Sequence, residues 1–204
     1  MIRRTALCLA LMVAGGLAVP AHAAATVGQP APNFRATDTN GRTHQLSDFR
    51  GKYLVLEWTN PGCPFVRKHY DSRNMQALQK EFTAKNVVWL AVNSTETAAS
   101  DYLPPAKLAA WMTGQGAVPT ATLMDVEGTM GRAFGARTTP HMYIVDPQGR
   151  LVYAGGIDSI ASSRMDDIKT ATNHVRRSLS EALAGKPVSM ATTPPYGCSI
   201  KYKS

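Results

Sequence analysis

The sequence predicts an α/β fold, a central mixed β-sheet flanked by helices. Short apolar segments of strand length alternate along the chain with longer segments of helical periodicity. Residues 87–92 are apolar at every position, which is typical of a strand in a sheet covered on both faces. After an N-terminal β-hairpin extension, the predicted order is β-α-β-α-β-β-α, with a short extra helix before the last hairpin.

The predicted strands begin with that hairpin, over residues 33–46. Its signal is Asn40-Gly41, which favours a tight turn between two strand-like runs. Further strands are predicted over residues 52–58, 87–92 and 120–124, and a second hairpin over residues 141–154. The turn of this second hairpin is Pro147-Gln-Gly149.

The predicted helices lie between these strands. They cover residues 64–85, 106–113, 128–134 and 166–184. Pro64 suits the first position of a helix, where its missing N–H costs nothing. The last helix carries apolar residues at helical spacing and stops at Gly185.

Residues 1–23 have the three regions of a secretory signal peptide: Arg3 and Arg4, an apolar stretch, and small residues ending at Ala23. We expect cleavage after Ala23, a mature chain in a bacterial periplasm, and no stable membrane insertion afterwards. Cys8 lies inside this leader and is expected to be passive. Loss of the two arginines lowers the formal net charge from +8 to +6.

The mature chain is expected to form one domain over residues 24–185, followed by a Pro/Thr-rich tail over residues 186–204. The tail has no periodicity of its own and no expected role in the core, yet it carries Tyr196-Gly-Cys198. Basic residues are scattered along the chain, so no nucleic-acid partner is predicted.

Cys63 follows an Asn-Pro-Gly turn and directly precedes a predicted helix. A cysteine in this position faces unpaired backbone N–H groups and the positive end of the helix dipole, and both favour the thiolate. Arg67 and Lys68 add positive charge one turn later. We therefore predict that Cys63 is a reactive thiol. Cys198 completes an even pair in an oxidising compartment, which suggests a disulfide that is structural, catalytic or intermolecular.

This layout, with a cysteine at the start of a helix and Thr138-Thr139-Pro140 before a later hairpin, resembles the thioredoxin superfamily over roughly residues 27–184. A thioredoxin-like fold is therefore expected. The resemblance also implies that Pro140 follows a cis peptide bond and packs against the sulfur of Cys63.

The segment 28–34, Gly-Gln-Pro-Ala-Pro-Asn-Phe, together with a strand leading to Cys63-Pro64, is similar to the redoxin branch. This branch contains alkyl hydroperoxide reductase and thiol-specific antioxidant proteins and their exported, peroxiredoxin-like members. The chain departs from it at Asn60, where the family has threonine or serine. The arginine that contacts peroxide in this family matches the position of Pro140 in this chain, and Arg137 lies three residues earlier.

The resemblance implies a thiol-based oxidoreductase with no cofactor and an unidentified thiol reductant as partner. The first hypothesis is a peroxidase: the Cys63 thiolate attacks a peroxide and becomes a sulfenic acid, which Cys198 resolves. Asn60 and the N–H groups of the helix start would bind the peroxide, while Arg67 or Arg137 would support the thiolate.

The alternative hypothesis is thiol–disulfide exchange with a disulfide substrate. Cys63 is again the nucleophile and Cys198 the resolving thiol, while Pro140 shapes the substrate groove and Thr139 is a supporting residue. This hypothesis needs no peroxide pocket.

A further, non-enzymatic alternative is the handling of a soft ion such as Cu(I) by Cys63, His69, His141 and Cys198. The default for His69 is a solvated histidine. His141 is expected to approach the thiol as a base or to cap the loop. A structural or interaction protein is the remaining alternative, and the oxidoreductase hypotheses require no metal.

Overall fold

The computed structural model describes residues 24–204. The predicted signal peptide, residues 1–23, and Cys8 lie outside the described residues. The strands are β1 (Arg35–Asp38), β2 (Thr43–Gln45), β3 (Leu54–Trp58), β4 (Val88–Asn93), β5 (Ala121–Met124), β6 (Thr138–Thr139), β7 (His141–Val145), β8 (Leu151–Gly155) and β9 (Cys198–Ser199).

Seven of these strands form one mixed sheet in the order β2-β1-β5-β4-β3-β7-β8. The three central strands β5, β4 and β3 are parallel, and the others join antiparallel. The strands β6 and β9 form a separate antiparallel pair. The expected α/β architecture with a mixed sheet and an N-terminal hairpin is confirmed.

The α-helices are α1 (Pro64–Asp71), α2 (Asn74–Thr83), α3 (Pro105–Gly114), α4 (Thr129–Phe134) and α5 (His174–Leu183). Single 3-10 turns cover Leu46–Phe49 and Met165–Lys169. Within residues 24–204, no helix has both the length and the apolar character needed to cross a membrane.

The sheet separates two apolar layers because successive side chains of a strand point to opposite faces. One layer contains Trp58, Phe134 and Tyr143, and it joins the sheet to α4 and the N-terminal hairpin. The other layer contains Cys63 and Trp89 and joins the sheet to α1, α2, α3 and α5. Each fully buried side chain about the size of leucine or phenylalanine contributes about 1.5–3 kcal/mol to folding.

The prediction of one helix over residues 64–85 is wrong, because the chain breaks between α1 and α2. Arg73 has a left-handed backbone with φ 65°, a conformation that costs roughly 1–2 kcal/mol for a residue with a side chain. The Gln76 side chain donates to the Tyr70 carbonyl oxygen at 2.9 Å, and Asn74 bonds His69 Nδ1 at 2.8 Å. These two contacts stabilise the break.

The prediction of a helix from residue 166 is also wrong at its start. The 3-10 turn Met165–Lys169 is followed by a new N-cap at Asn173, whose side chain accepts from the Arg176 N–H at 2.8 Å. The α-helix therefore begins at His174.

The tail packs against the domain, contrary to the expectation that it has no role in the core. Thr193 is buried, and its N–H donates to the Ala154 carbonyl oxygen of β8 at 3.2 Å. Tyr202 lies against α4, and its hydroxyl donates to the Ala136 carbonyl oxygen at 2.7 Å. The tail thus runs from the edge strand β8 past β6 to α4.

Candidate active site

Cys63 is the N-cap residue of α1, with Pro64 in the first helical turn. The chain leaves β3 at Trp58 and turns over residues 60–63. The N–H of Cys63 donates to the Asn60 carbonyl oxygen at 3.0 Å and closes this turn. The side chain of Cys63 is only 2% exposed, because the tail lies over it.

The side chain of Asn60 holds the turn in shape. Its Oδ1 accepts from the Gly62 N–H at 2.7 Å. Its Nδ2 donates to Thr95 Oγ1 at 2.9 Å and to Asp101 Oδ2 at 3.1 Å. Both N–H bonds of the amide are therefore used within the protein, so Asn60 positions the loop and has no free donor for a peroxide.

Strand β9 brings Cys198 to Cys63. In the pair β6–β9, Thr139 faces Cys198. The Sγ atoms of Cys63 and Cys198 are 2.6 Å apart, although the residues are 135 positions apart in the sequence. Both cysteines are free, and Cys63 Sγ also lies 3.0 Å from the Thr139 carbonyl oxygen. The two thiols are thus within reach of a disulfide bond.

The close approach of the tail depends on Gly197. Its backbone has φ 134°, in the region that glycine adopts far more readily than other residues. A Cβ atom at this position would collide with the Thr139 carbonyl oxygen. The glycine of Tyr196-Gly-Cys198 therefore lets the tail strand lie against β6.

Tyr196 ties the tail to α1 through three buried polar residues. Its hydroxyl donates to Asp158 Oδ1 at 2.5 Å and lies 3.2 Å from His69 Nε2. Lys68 Nζ donates to Asp158 Oδ2 at 3.3 Å. We call Lys68, His69, Asp158 and Tyr196 the tail anchor. Removing the Asp158 carboxylate would leave the buried Lys68 ammonium without its opposite charge, which is costly.

Two sequence expectations about this cluster are wrong. Lys68 does not stand beside the thiol as a free charge, because its buried ammonium pairs with Asp158. His69 is fully buried rather than solvated. Burial, aided by the charge of Lys68 and opposed by that of Asp158, lowers the pKa of His69 to about 4, so the imidazole is neutral near pH 7.

The environment of Cys198 favours its protonated form. Burial raises the pKa of this thiol well above its ordinary value, and the hydrogen bond and negative charge of Cys63 act in the same direction. Asp101 adds to the effect, while Lys201 opposes it. Cys198 therefore holds its proton while Cys63 lies at the positive end of α1, and this asymmetry favours Cys63 as the attacking sulfur.

The structure confirms the expected peptide bond before Pro140 but places His141 on the other face of the sheet from Cys63. The Thr139–Pro140 peptide bond is cis, as the resemblance implied. His141, however, packs its ring against Tyr143 with centroids 4.5 Å apart, and Tyr143 belongs to the apolar layer on the other face of the sheet from Cys63. The expectation that His141 approaches the thiol as a base is therefore wrong. Its Nδ1 instead accepts from the Arg137 N–H at 3.3 Å and so caps the loop, which is the other role expected for it.

Arg67 and Arg137, the two arginines that were expected to support the thiolate, also lie in other surroundings. Arg67 Nε donates to the Pro61 carbonyl oxygen at 3.1 Å and braces the active-site turn. Arg137 lines a cavity with His141 and Tyr143, on their side of the sheet. Neither guanidinium has a hydrogen bond to Cys63 within residues 24–204.

Glu57 is a buried carboxyl group that the sequence analysis did not single out. It is fully buried in β3, where Oε1 accepts from the Tyr70 hydroxyl at 2.7 Å and Oε2 from Trp89 Nε1 at 2.8 Å. Gln79 Nε2 donates to Oε2 at 3.2 Å. Burial raises the pKa of Glu57 to about 7, although these donors oppose the shift. The available signal was an acidic residue inside an otherwise apolar strand.

The alternative metal set of Cys63, His69, His141 and Cys198 is not assembled. Within residues 24–204, no group of three or more His, Cys, Asp and Glu side chains has a geometry that suits a metal ion.

Comparison with known proteins gives the same picture of the fold and its chemistry. Residues 27–154 match the AhpC/TSA family. The thiol-disulfide oxidoreductase ResA of Bacillus subtilis (strain 168) is 28% identical over 127 residues, which are 61% of this chain and 64% of that protein. The match thus spans less than two thirds of that relative.

Two solved structures are similar over most of their length. A hypothetical protein from Sinorhizobium meliloti 1021 has a TM-score of 0.78 at 25% identity, over 89% of this chain and 97% of the other. The thioredoxin domain of a thiol-disulfide oxidoreductase from Bacteroides vulgatus has a TM-score of 0.52 at 20% identity, over 71% and 96% of the two chains. The second likeness shows the thioredoxin-like fold alone.

Proposed function

The chain belongs to the AhpC/TSA family, and from this premise we propose that it is a thiol–disulfide oxidoreductase with Cys63 as nucleophile and Cys198 as resolving thiol. Membership of this family makes it a thiol-based redox protein of the thioredoxin superfamily. The observation that carries the proposal is the 2.6 Å separation between Cys63, at the start of α1, and Cys198, in β9, both of which are free thiols.

The exchange has two steps. The Cys63 thiolate attacks one sulfur of a substrate disulfide, so that a mixed disulfide forms and the other substrate sulfur leaves as a thiolate. Cys198 then passes its proton to the substrate thiolate released in the first step and attacks the Cys63 sulfur, which forms the Cys63–Cys198 disulfide and releases the second substrate thiolate. The substrate gains two electrons and the protein dithiol loses them. A dithiol partner returns the protein to its reduced state.

Access to Cys63 requires the tail to move. Cys63 is 2% exposed, and β9 lies directly over it. A substrate disulfide reaches the sulfur when β9 separates from β6, and the return of β9 delivers Cys198 for the second step. The short β6–β9 pair suits this role, because few backbone hydrogen bonds must break.

Three observations favour exchange over peroxide reduction. The Asn60 amide is engaged by Thr95 and Asp101. Arg137 lies on the other face of the sheet from Cys63. The curated relative quoted above is named a thiol-disulfide oxidoreductase. Peroxidases place donors at the peroxide oxygens, and these side chains do not supply them.

The proposed setting is the bacterial periplasm, reached through a leader cleaved after Ala23. The proposed partners are a disulfide substrate and a thiol reductant. The pair Cys63 and Cys198 then cycles in an oxidising compartment.

Trapping the mixed disulfide tests the proposal. Reduced mature protein is mixed with oxidised glutathione and analysed by mass spectrometry. The wild type is expected to form the Cys63–Cys198 disulfide, whereas Cys198→Ser stops at a glutathione adduct on Cys63. The Cys63→Ser variant, in which the protonated Cys198 remains, is the matched control and is expected to react much more slowly.

A parallel measurement with hydrogen peroxide distinguishes the two chemistries. Peroxide consumption by the wild type no faster than that of a free thiolate supports exchange. Consumption far above that rate, together with slow reaction with oxidised glutathione, would establish a peroxidase instead.

A further inference from the structure

A cavity of about 890 Å³ lies on the other face of the sheet from Cys63, between α4, the start of β7 and the tail. Its size is within the range of pockets for small organic molecules, roughly 300–1,000 Å³. Cys63 and Cys198 do not line it. The cavity is therefore separate from the proposed thiol site.

The charged side chains that line the cavity have one sign. Arg132 and Arg137 face it, and no acidic side chain of residues 24–204 is part of its lining. Arg132 lies over the ring of Tyr202, 4.7 Å from its centroid, and donates to the Lys203 carbonyl oxygen. The Arg137 guanidinium has no hydrogen-bond partner within residues 24–204, so its fork of donors is available to a ligand.

A second donor comes from His141, which is 5% exposed and lines the same cavity. Its Nδ1 lies 3.3 Å from the backbone N–H of Arg137, which can only donate. Nδ1 must therefore be unprotonated, so the proton of the neutral ring is on Nε2. Burial and the charge of Arg137 lower the pKa of His141 to about 3, which keeps the ring neutral. Within residues 24–204, the Nε2–H group has no acceptor.

Most of the remaining wall is apolar, although Thr192 and Thr193 also belong to it. Phe134, Tyr143, Pro194 and Pro195 supply flat hydrophobic surfaces. A few convergent polar groups in an otherwise apolar cavity are typical of a site that orients a small molecule.

We propose that this cavity binds a small organic anion, a carboxylate on a flat apolar body. The carboxylate bonds the Arg137 guanidinium, which matches its planar geometry, and accepts from His141 Nε2–H. The apolar body lies against Phe134 and the two prolines of the tail. This proposal goes beyond the proposed function and does not depend on it, because neither cysteine takes part.

Calorimetric titration of the oxidised mature protein with benzoate tests the proposal, and benzamide is the uncharged probe of the same shape. We expect one benzoate site with a dissociation constant on the order of 1 mM or below. Benzamide is expected to bind at least about tenfold more weakly, because it lacks the charge.

Variants of Arg137 locate the site. Arg137→Gln is expected to weaken benzoate binding about tenfold or more, and Arg137→Lys, which keeps the charge, less than that. The matched control is Arg176→Gln, which removes a half-buried arginine on α5 paired with Glu81 and is expected to leave binding unchanged. Absence of saturable benzoate binding, equal affinity for benzamide, or full affinity in Arg137→Gln would each overturn the proposal.

Discussion

Replacement of Glu57 by glutamine tests whether one buried carboxyl controls how stability depends on pH. Glutamine keeps the shape of the side chain. Its oxygen can accept from Trp89 and Gln79, and its nitrogen can donate to the Tyr70 hydroxyl, which reverses the direction of the Tyr70 bond. The cost of this reversal does not depend on pH in the range tested. The variant differs from the parent chiefly because it cannot ionise.

The expected magnitude follows from the pKa of Glu57, which burial raises from 4.5 to about 7. Between these values the folded protein holds a proton that the unfolded chain has released. The free energy of unfolding therefore falls as the pH rises through this window, by about 1.4 kcal/mol per unit and about 3 kcal/mol in all. The variant carries no such loss.

Urea denaturation followed by circular dichroism measures this effect at pH 4.5 and at about pH 8, one unit above the window. Both proteins carry Cys63→Ser and Cys198→Ser, so that thiol ionisation does not contribute. Relative to its parent, Glu57→Gln is expected to gain about 3 kcal/mol of stability between the two conditions. His69 and His141 titrate in both proteins, so their contributions cancel.

The control is Glu127→Gln, which removes an exposed carboxylate paired with Lys203. The difference in the free energy of unfolding between Glu127→Gln and its parent is expected to change by less than about 0.5 kcal/mol over the same pH range. A difference between Glu57→Gln and its parent that is equal at both pH values would refute the reasoning, because Glu57 would then have the same pKa in the folded and unfolded chains.

Three further predictions concern the tail. Tyr196→Phe removes a hydroxyl of the tail anchor. We expect its Cys63–Cys198 disulfide to be about tenfold easier to reduce in equilibrium with glutathione. In the control Tyr53→Phe, which loses a bond to a carbonyl of α5, the disulfide should be as hard to reduce as in the wild type. Gly197→Ala forces the tail away from β6, so closure of the disulfide after mixing with oxidised glutathione should slow at least about tenfold, and closure at the wild-type rate would contradict the assigned contact. Oxidation closes a loop between residues 135 positions apart and should raise the free energy of unfolding in urea by up to about 5 kcal/mol; Cys198→Ser should show no difference between oxidising and reducing buffers.

Local signals in the sequence predicted most of the fold. The apolar run at residues 87–92 forms a central strand because its side chains face both apolar layers. Asn40-Gly41 forms its hairpin because glycine there has a positive φ. The position of Cys63 at the start of α1 also follows from neighbours, the Asn-Pro-Gly turn and Pro64.

The features that could not be predicted depend on residues far apart in the chain. Helical spacing alone predicts that the charge of Lys68 lies near the thiol. Lys68 instead pairs with Asp158, which is 90 positions away. The break at Arg73 has no glycine or proline signal and is stabilised by the contact between Asn74 and His69. No local pattern shows whether Cys198 meets Cys63 of its own chain or of a neighbouring one.

The position of β9 after all other strands and helices has a consequence for shortened variants. A variant cut between α5 and β9 would keep every residue of the large sheet, α1 and Cys63, but it would have no Cys198. A mixed disulfide formed on Cys63 in that variant has no internal route of release, and only an external thiol frees the sulfur. Strand β9 thus gives the protein its own release step for a substrate held on Cys63.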